Sequence, residues 1–318
     1  RSVYLKEIKV MYRKIMDFLE EWKNEEHRKP LILQGARQVG KTYAILEFGR
    51  THYENVAYFN FETNPKLNET FEENISPDYL IPILSHIAGQ TIVTEKTLIV
   101  FDEIQLCERA LTSLKYFYEE RPDYHIIVAG SLLGVAVNRT RFSFPVGKVD
   151  MKTLYPMDLE EFMIAMGEKS LVDQIKKCFE TNEPMPSALH DAAMQLYRQY
   201  LVVGGMPECV MQFAETKDYI LIRHTQDTIL ASYLNDMSKY NNLNEIKKTR
   251  LAYDNITVQL SKKNTRFQYK LIKKGGRASE FENAIEWLCL SGIVSQVYKV
   301  EQIRKPLENY RDIDAFKI

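Results

Sequence analysis

The run Gly35-Ala36-Arg37-Gln38-Val39-Gly40-Lys41-Thr42 meets the spacing G-x-x-x-x-G-K-[ST] at every fixed position. That spacing suits a compact polyanion. Successive backbone N–H groups of a loop can wrap a triphosphate, and the N-terminus of a following helix adds a positive dipole. Gly35 and Gly40 permit the tight turn and the close approach of oxygen atoms. Lys41 can reach the β- and γ-phosphates, and the Thr42 hydroxyl can ligate Mg²⁺. Such a cradle must lie between a buried strand and a helix. Leu31-Ile32-Leu33 precedes it, and Tyr43 opens the helical run that follows. The expected nucleotide-contacting set is therefore Gly35, Ala36, Arg37, Gln38, Val39, Gly40, Lys41, Thr42 and Tyr43, with ATP and Mg²⁺ as ligands.

A second constellation lies in the stretch TLIVFDEIQ at 97–105. Apolar strand residues end in Asp102-Glu103. A carboxylate at a strand tip beside the cradle can hold Mg²⁺, directly or through water, which assigns Asp102 to the metal. The neighbouring carboxylate, Glu103, can orient or deprotonate the attacking water. An acidic turn after a core strand is common by itself. The interval from Thr42 leaves room for one intervening strand, which joins the two motifs into one expected site. Ser131 follows the apolar stretch IIVAG and has two open roles, contact with the γ-phosphate or its water and capping of a helix. Phosphoryl transfer also needs positive charge on the γ-phosphate. Arg139 and Arg141, in GVAVNRTRFSFPVGK, are the candidates. Arg37 within the cradle and Arg109 after the acidic strand complete the arginines in range.

These residues need elements to hold them. Residues 4–28 read as amphipathic helix, with Met11, Ile15, Phe18, Leu19 and Trp22 at helical spacing. Short apolar runs of strand length follow at 31–35, 55–61, 97–101, 125–130 and 149–156. Four of the five are apolar nearly throughout, the pattern of strands covered on both faces of a parallel sheet. Helical stretches alternate with them, which implies an α/β layered domain. After Pro156 the pattern turns helical. Two helices and a β-rich stretch, IVSQVYKVEQI, then give the order of a winged helix. The expected domains are an N-terminal helix at 1–27, an ATPase core at 28–160 and a helical lid at 161–240. A winged-helix-like domain at 241–305 and the start of a further, truncated domain at 306–318 complete them.

Composition is ordinary for a globular chain: 45% of the 318 residues are hydrophobic, 27% are charged and the net charge is −1. No apolar run approaches the roughly 20 residues of a membrane helix, and no signal peptide opens the sequence. The four cysteines are scattered without a C-x-x-C pair and the histidines lack ligand spacing, so a disulfide frame and a zinc site are not expected. A reduced, cytoplasmic protein is. The first residue is not Met, and DAFKI at the end carries no cap or turn, so a longer natural chain is also expected.

Together, LILQGARQVGKT, LIVFDEIQ, IIVAGSLLG, FPVGKVDMKTLYPMDLEEF and YLVVGGMPECV resemble the bacterial and archaeal AAA+-type ATPases that join an AAA domain to a C-terminal domain of unknown function, number 4143. The resemblance spans nearly the whole chain. It implies a P-loop NTPase core, α/β with sheet order 5-1-4-3-2, followed by a helical lid and a winged helix. It places Ser131 at the sensor position and Arg139 and Arg141 where an arginine finger often stands. Gly204-Gly205-Met206-Pro207 is similar to a G-x-P element whose proline packs near the nucleotide, a role it shares evenly with that of a helix-ending loop. The implied C-terminal nuclease-like domain has barely begun at YRDIDAFKI.

Residues 240–278 carry ten cations against Glu245 and Asp254, a local charge of about +8. Such a stretch on a winged-helix pattern suits the DNA backbone, although the acidic start of ASEFENAIEWLCLSG argues against insertion of that helix into a groove. A solvated basic face is the plainer account. Three functions follow. The first is an Mg²⁺-dependent ATPase coupling nucleotide state to domain movement. The second is a slow nucleotide-gated signalling switch with a protein partner. The third is a DNA-binding regulator whose oligomeric state ATP controls. An arginine supplied in trans requires a homo-oligomer.

Overall fold

In a computed structural model, residues 11–131, 144–240, 243–263 and 266–318 are described. They fall into two compact units: one takes the described residues up to Gly130 and those from Phe144 to Asp227, the other takes Ser131 and the described residues from Thr228 on, so that one boundary falls at the end of a strand and the other inside a long helix. Among the described residues no helix is long and apolar enough to cross a membrane.

The first unit holds a five-stranded parallel sheet: β1 (Leu31–Gly35), β2 (Asn55–Asn60), β3 (Thr97–Asp102), β4 (His125–Ser131) and β5 (Asp150–Thr153). The strand order is β2-β3-β4-β1-β5, the order 5-1-4-3-2 read from the other edge. Register pairs Leu31 with Asp150, Asn60 with Asp102 and Phe101 with Val128. All strands point the same way, so their C-terminal tips share one edge of the sheet, where ligands of such folds gather. The apolar runs explain the order. Every residue of β3 is buried, as are all but the last of β4. The edge strands β2 and β5 carry more exposed positions and more polar residues.

Helices α1 (Ile15–Lys23), α2 (Lys41–His52), α3 (Lys66–Glu73), α4 (Pro77–Ala88) and α5 (Glu108–Glu120) belong to this sheet domain. Within the described part of the stretch expected to be helical, α1 covers Ile15–Lys23 and buries Ile15, Leu19 and Trp22. Phe61, Phe71 and Phe101 pack edge to face at 5.6–5.9 Å on the β2–β3 side.

Beyond β5 the unit is helical, with α6 (Leu159–Ala165), α7 (Lys169–Thr181), α8 (Ser187–Val203) and α9 (Pro207–Thr216). Asp158 starts α6 with a capping box, accepting from the Glu161 N–H while Glu161 accepts from the Asp158 N–H. Phe162 packs on Tyr200 and Phe213. Gly205 permits a close crossing: its carbonyl accepts from Met157 N–H at 2.7 Å, and a Cβ there would lie 2.1 Å from the Met157 oxygen.

Helix α10 (Tyr219–Tyr240) contains the second of these boundaries. The second unit has α11 (Leu243–Leu260), α12 (Ala278–Leu290) and an antiparallel pair, β6 (Val297–Val300) and β7 (Arg311–Lys317). Its core is Ala252, Phe267, Ala284, Ile285, Trp287, Leu288 and Phe316. Within 241–305 lie the two helices and one strand, β6; its partner β7 falls in the stretch 306–318, which was expected to begin a further domain.

Candidate nucleotide site

The sheet ends β1 at Gly35, and the chain turns through residues 36–40 into α2. Two backbone positions make the turn: Gln38 at φ 62° and Gly40 at φ 87°, both left-handed conformations, of which the second suits glycine at no steric cost. Gly35 has no room for a side chain, since a Cβ would sit 2.3 Å from the Leu154 carbonyl. Helix α2 has no side-chain cap and no acidic residue in its first turn. Its N-terminal amide groups and dipole are open to an anion.

Lys41 folds back over this turn. Its ammonium donates to the Gly35 carbonyl at 3.0 Å and the Ala36 carbonyl at 2.8 Å. Burial, offset in part by Glu103 and Asp102, pushes the amine down to about 8. Thr42, one residue on, donates its hydroxyl to Asp102 Oδ2 at 2.9 Å. Asp102 is 5% exposed. The same oxygen accepts the Tyr58 hydroxyl at 2.6 Å, and Oδ1 accepts the Glu103 N–H at 2.9 Å. A threonine hydroxyl and a buried carboxylate on one point form an all-oxygen donor set. Mg²⁺ is commonly held by one or two protein oxygens together with substrate phosphates and water, so these residues fit that ion. Among the described residues no group of three or more His, Cys, Asp or Glu side chains could hold a metal without such a substrate.

Glu103 stands in a left-handed conformation at φ 54°, which turns the chain sharply off β3. Its carboxylate accepts from the Gln105 amide. It lines an open cavity of about 290 Å³ with Arg37, Lys41, Thr42 and Glu62. A second, mostly apolar cavity of about 450 Å³ shares Gln38, Gly40 and Tyr43 with the first and is bounded also by Met11, Arg13, Ala44, Pro207 and Met211. Pro207 Cγ and Arg13 Nη1 each lie 3.7 Å from where a Cβ on Gly40 would be.

The structure therefore brings together the 35–43 turn, Asp102, Glu103 and Pro207. Ser131 is the last residue of β4. Arg139 and Arg141 lie outside the described residues. Arg109 is turned to α3, donating to the Phe71 carbonyl at 3.2 Å and the Glu72 carbonyl at 3.4 Å. Two residues escaped sequence reasoning. Tyr58 carries a signal in retrospect, because strand alternation puts it on the same face as Asn60, two positions along β2. Arg13 carries none, being one cation among several before α1.

Residues 27–163 match the AAA domain family, and residues 194–318 match a domain of unknown function (DUF8612), where the sequence resemblance pointed to number 4143. No curated protein matches the chain by sequence. Among solved structures, the Walker-type ATPase PABY2304 of Pyrococcus abyssi shares 14% identity at TM-score 0.56, covering 97% of this chain and 93% of that one. The Aeropyrum pernix ORC1 protein in complex with DNA shares 13% over 96% of this chain and 86% of that one, at TM-score 0.36. The Thermotoga maritima RuvB Holliday junction branch migration motor shares 15% over 89% and 88%, also at 0.36. The first likeness concerns the fold alone, and the other two are too distant to bear on it.

Proposed function

From the premise that this chain is an AAA-domain protein of the P-loop ATPase fold, we propose that it binds ATP with Mg²⁺ and hydrolyses it to ADP and phosphate. The observation that carries the reading is the convergence of Lys41, Thr42, Asp102 and Glu103 at the C-terminal edge of the sheet. Lys41 leaves the Gly35 and Ala36 carbonyls and turns its ammonium to the β- and γ-phosphates. The amides of residues 36–42 hold the phosphate oxygens. Thr42 and Asp102 would hold Mg²⁺, which would supply positive charge to the phosphates. Glu103 orients the attacking water and takes its proton. Pro207 and Tyr43, which border the apolar cavity beside Gly40, would flank the base. Ser131 serves as the γ-phosphate sensor, and Arg139 or Arg141 supplies the finger, from a second copy if it acts in trans.

One observation favours a slower, gated mode. The Glu103 carboxylate already accepts from the Gln105 amide through one oxygen, a contact that lowers its basicity toward a water while it lasts. A nucleotide-gated switch, acting through a partner and reset by slow hydrolysis, is the second reading.

The remaining part of the proposal is a DNA contact. Lys262, Lys263, Arg266, Lys270, Lys273, Lys274 and Arg277 are all exposed on the connection between α11 and α12, and no acid interrupts residues 261–279. That run favours a phosphodiester backbone. Nucleotide state would be passed to this region by movement of the helical segments.

The nucleotide reading is tested with Lys41→Ala. ATP titrated calorimetrically into the wild type should bind with Mg²⁺ present, and binding should be lost in the variant. Equal affinity in both proteins would remove Lys41 from the site.

A further inference from the structure

Resting on that nucleotide reading, we infer that Arg13 is a positioning residue for the phosphate loop. It fixes the direction of the Gly40 N–H and joins the loop to helix α6 through Glu161.

Arg13 precedes α1 in sequence, far from every motif, yet it is 5% exposed. A buried guanidinium persists only when its donors are satisfied and its charge is matched. Arg13 meets both needs with three separate pieces of chain. Nη1 donates to the Val39 carbonyl at 3.0 Å, Nη2 to the Tyr155 carbonyl at 2.8 Å and Nε to Glu161 Oε1 at 3.1 Å. The first is in the phosphate loop, the second in the segment leaving β5, and the third in the first turn of α6.

The contact with Val39 bears on chemistry because a trans peptide unit is planar, with its C=O and N–H directed oppositely. Holding the Val39 carbonyl against Arg13 sends the Gly40 N–H to the other side of the loop, away from Arg13. An anion cradle needs that polarity, with carbonyls turned out and amides turned in. The fully buried Val39 side chain anchors its Cα, and the hydrogen bond from Arg13 is what sets the roll of the peptide plane that follows. Gln38, a non-glycine residue in the left-handed region at φ 62°, makes this a conformation that surrounding contacts must hold.

Glu161 closes the other end. Its Oε1 also accepts the Lys14 N–H at 2.7 Å, and its Oε2 accepts the Asp158 N–H at 3.2 Å as half of the capping box. A shift of the Val39 carbonyl is therefore felt at the start of α6 through a single side chain. Arg13 is matched by Glu161, so its part is to orient the loop and not to neutralise phosphate.

The test uses the full chain, with ATP binding followed by calorimetry and turnover by phosphate release. Arg13→Met keeps most of the side-chain volume and removes the guanidinium. ATP affinity should fall tenfold or more in the folded protein, with kcat lowered as well as KM raised. Arg13→Lys, whose compact ammonium lacks the fork that reaches the Val39 carbonyl, the Tyr155 carbonyl and Glu161 together, should recover part of the loss. Arg13→Met/Glu161→Gln should be no worse than Arg13→Met, because the two side chains act as one unit. Where Arg13→Met fails to fold, Glu161→Gln decides alone. Gln has one carbonyl oxygen for the acceptor positions that the two Glu161 oxygens fill, so either Arg13 or the capping box loses its acceptor, and the buried guanidinium loses its matching charge in both cases; affinity should still drop several-fold. Wild-type affinity in folded Arg13→Met, or in Glu161→Gln, overturns the inference, even with a lowered melting temperature. Absence of ATP binding by the wild type would overturn the nucleotide reading and this inference with it.

Discussion

Asp102 is oriented before any ligand arrives. Two hydroxyls, of Thr42 and Tyr58, converge on Oδ2, and a backbone amide holds Oδ1. Burial first, and the hydrogen bond to Asp102 second, push the Tyr58 phenol up to about 12, so it stays a neutral donor through the working pH range. Loss of that one hydrogen bond, worth about 1 kcal/mol, should show where the carboxylate matters. In Tyr58→Phe the Mg²⁺ concentration for half-maximal turnover should rise about fivefold, while ATP affinity without Mg²⁺ stays unchanged. A Mg²⁺ titration identical to wild type would contradict the placement of Asp102 at the metal. Gly35 to Thr42 and Asp102-Glu103 were legible in the sequence because their chemistry fixes both residue type and spacing. Arg13 and Tyr58 were not, because each gains its partner only when distant segments close. Nothing local separates Arg13 from Lys14, its neighbour, whose side chain instead reaches Asp158 and Glu160 at the surface.

At the scale of elements, strands covered on both faces were the most legible. Runs such as LIVF and HIIVAG have no polar face to confuse with helix. β5 was blurred at both ends, because Asp150-Met151-Lys152-Thr153 is an edge strand whose pattern does not mark where pairing stops. The same sheet sets an acid limit on stability. His125 opens β4 at 4% exposure, with its Nδ1 2.7 Å from the Tyr53 hydroxyl and its ring edge-on to Trp22. Burial first, then Arg28 and Lys23, hold its pKa down at about 3. An unfolded histidine takes a proton below about pH 6.5. Between those values the unfolded chain holds more protons, so stability falls as pH drops from 6.5 toward 3. By pH 5 this one group removes about 2 kcal/mol. Urea unfolding of wild type and His125→Gln at pH 7 and pH 5 should show the wild type losing about 2 kcal/mol more on acidification. Equal losses would mean that His125 charges within the fold.

For the molecule as a whole, the order of strands and helices was readable as alternation of patterns and the resemblance supplied the sheet order, but the pairing of β6 with β7 was not, since β7 lies in the stretch expected to begin a further domain. The partner was not readable. A run of cations specifies a polyanion through charge alone, and charge does not name the polyanion. Phe267 is buried against Phe316 in the core of the second unit, and Tyr269 packs on both rings. Neither ring is offered to stack on bases, so a DNA contact here should read phosphates and not sequence. Binding to a short duplex should weaken steeply with salt and vary little with sequence. Reversing Lys273 and Lys274 to Glu should lower the slope of log affinity against log salt by about two. No binding at low salt, or a slope unaffected by the reversal, would move the search to a protein partner.

The most direct test of the central claim is ATP turnover by the wild type and by Glu103→Gln, each with Mg²⁺, with ATP affinity measured alongside. The account predicts steady hydrolysis by the wild type, and a variant that binds ATP with similar affinity while its turnover falls a hundredfold or more. Undiminished turnover in Glu103→Gln would contradict the assignment of Glu103, and a wild type that binds ATP without hydrolysing it would leave the gated switch as the reading.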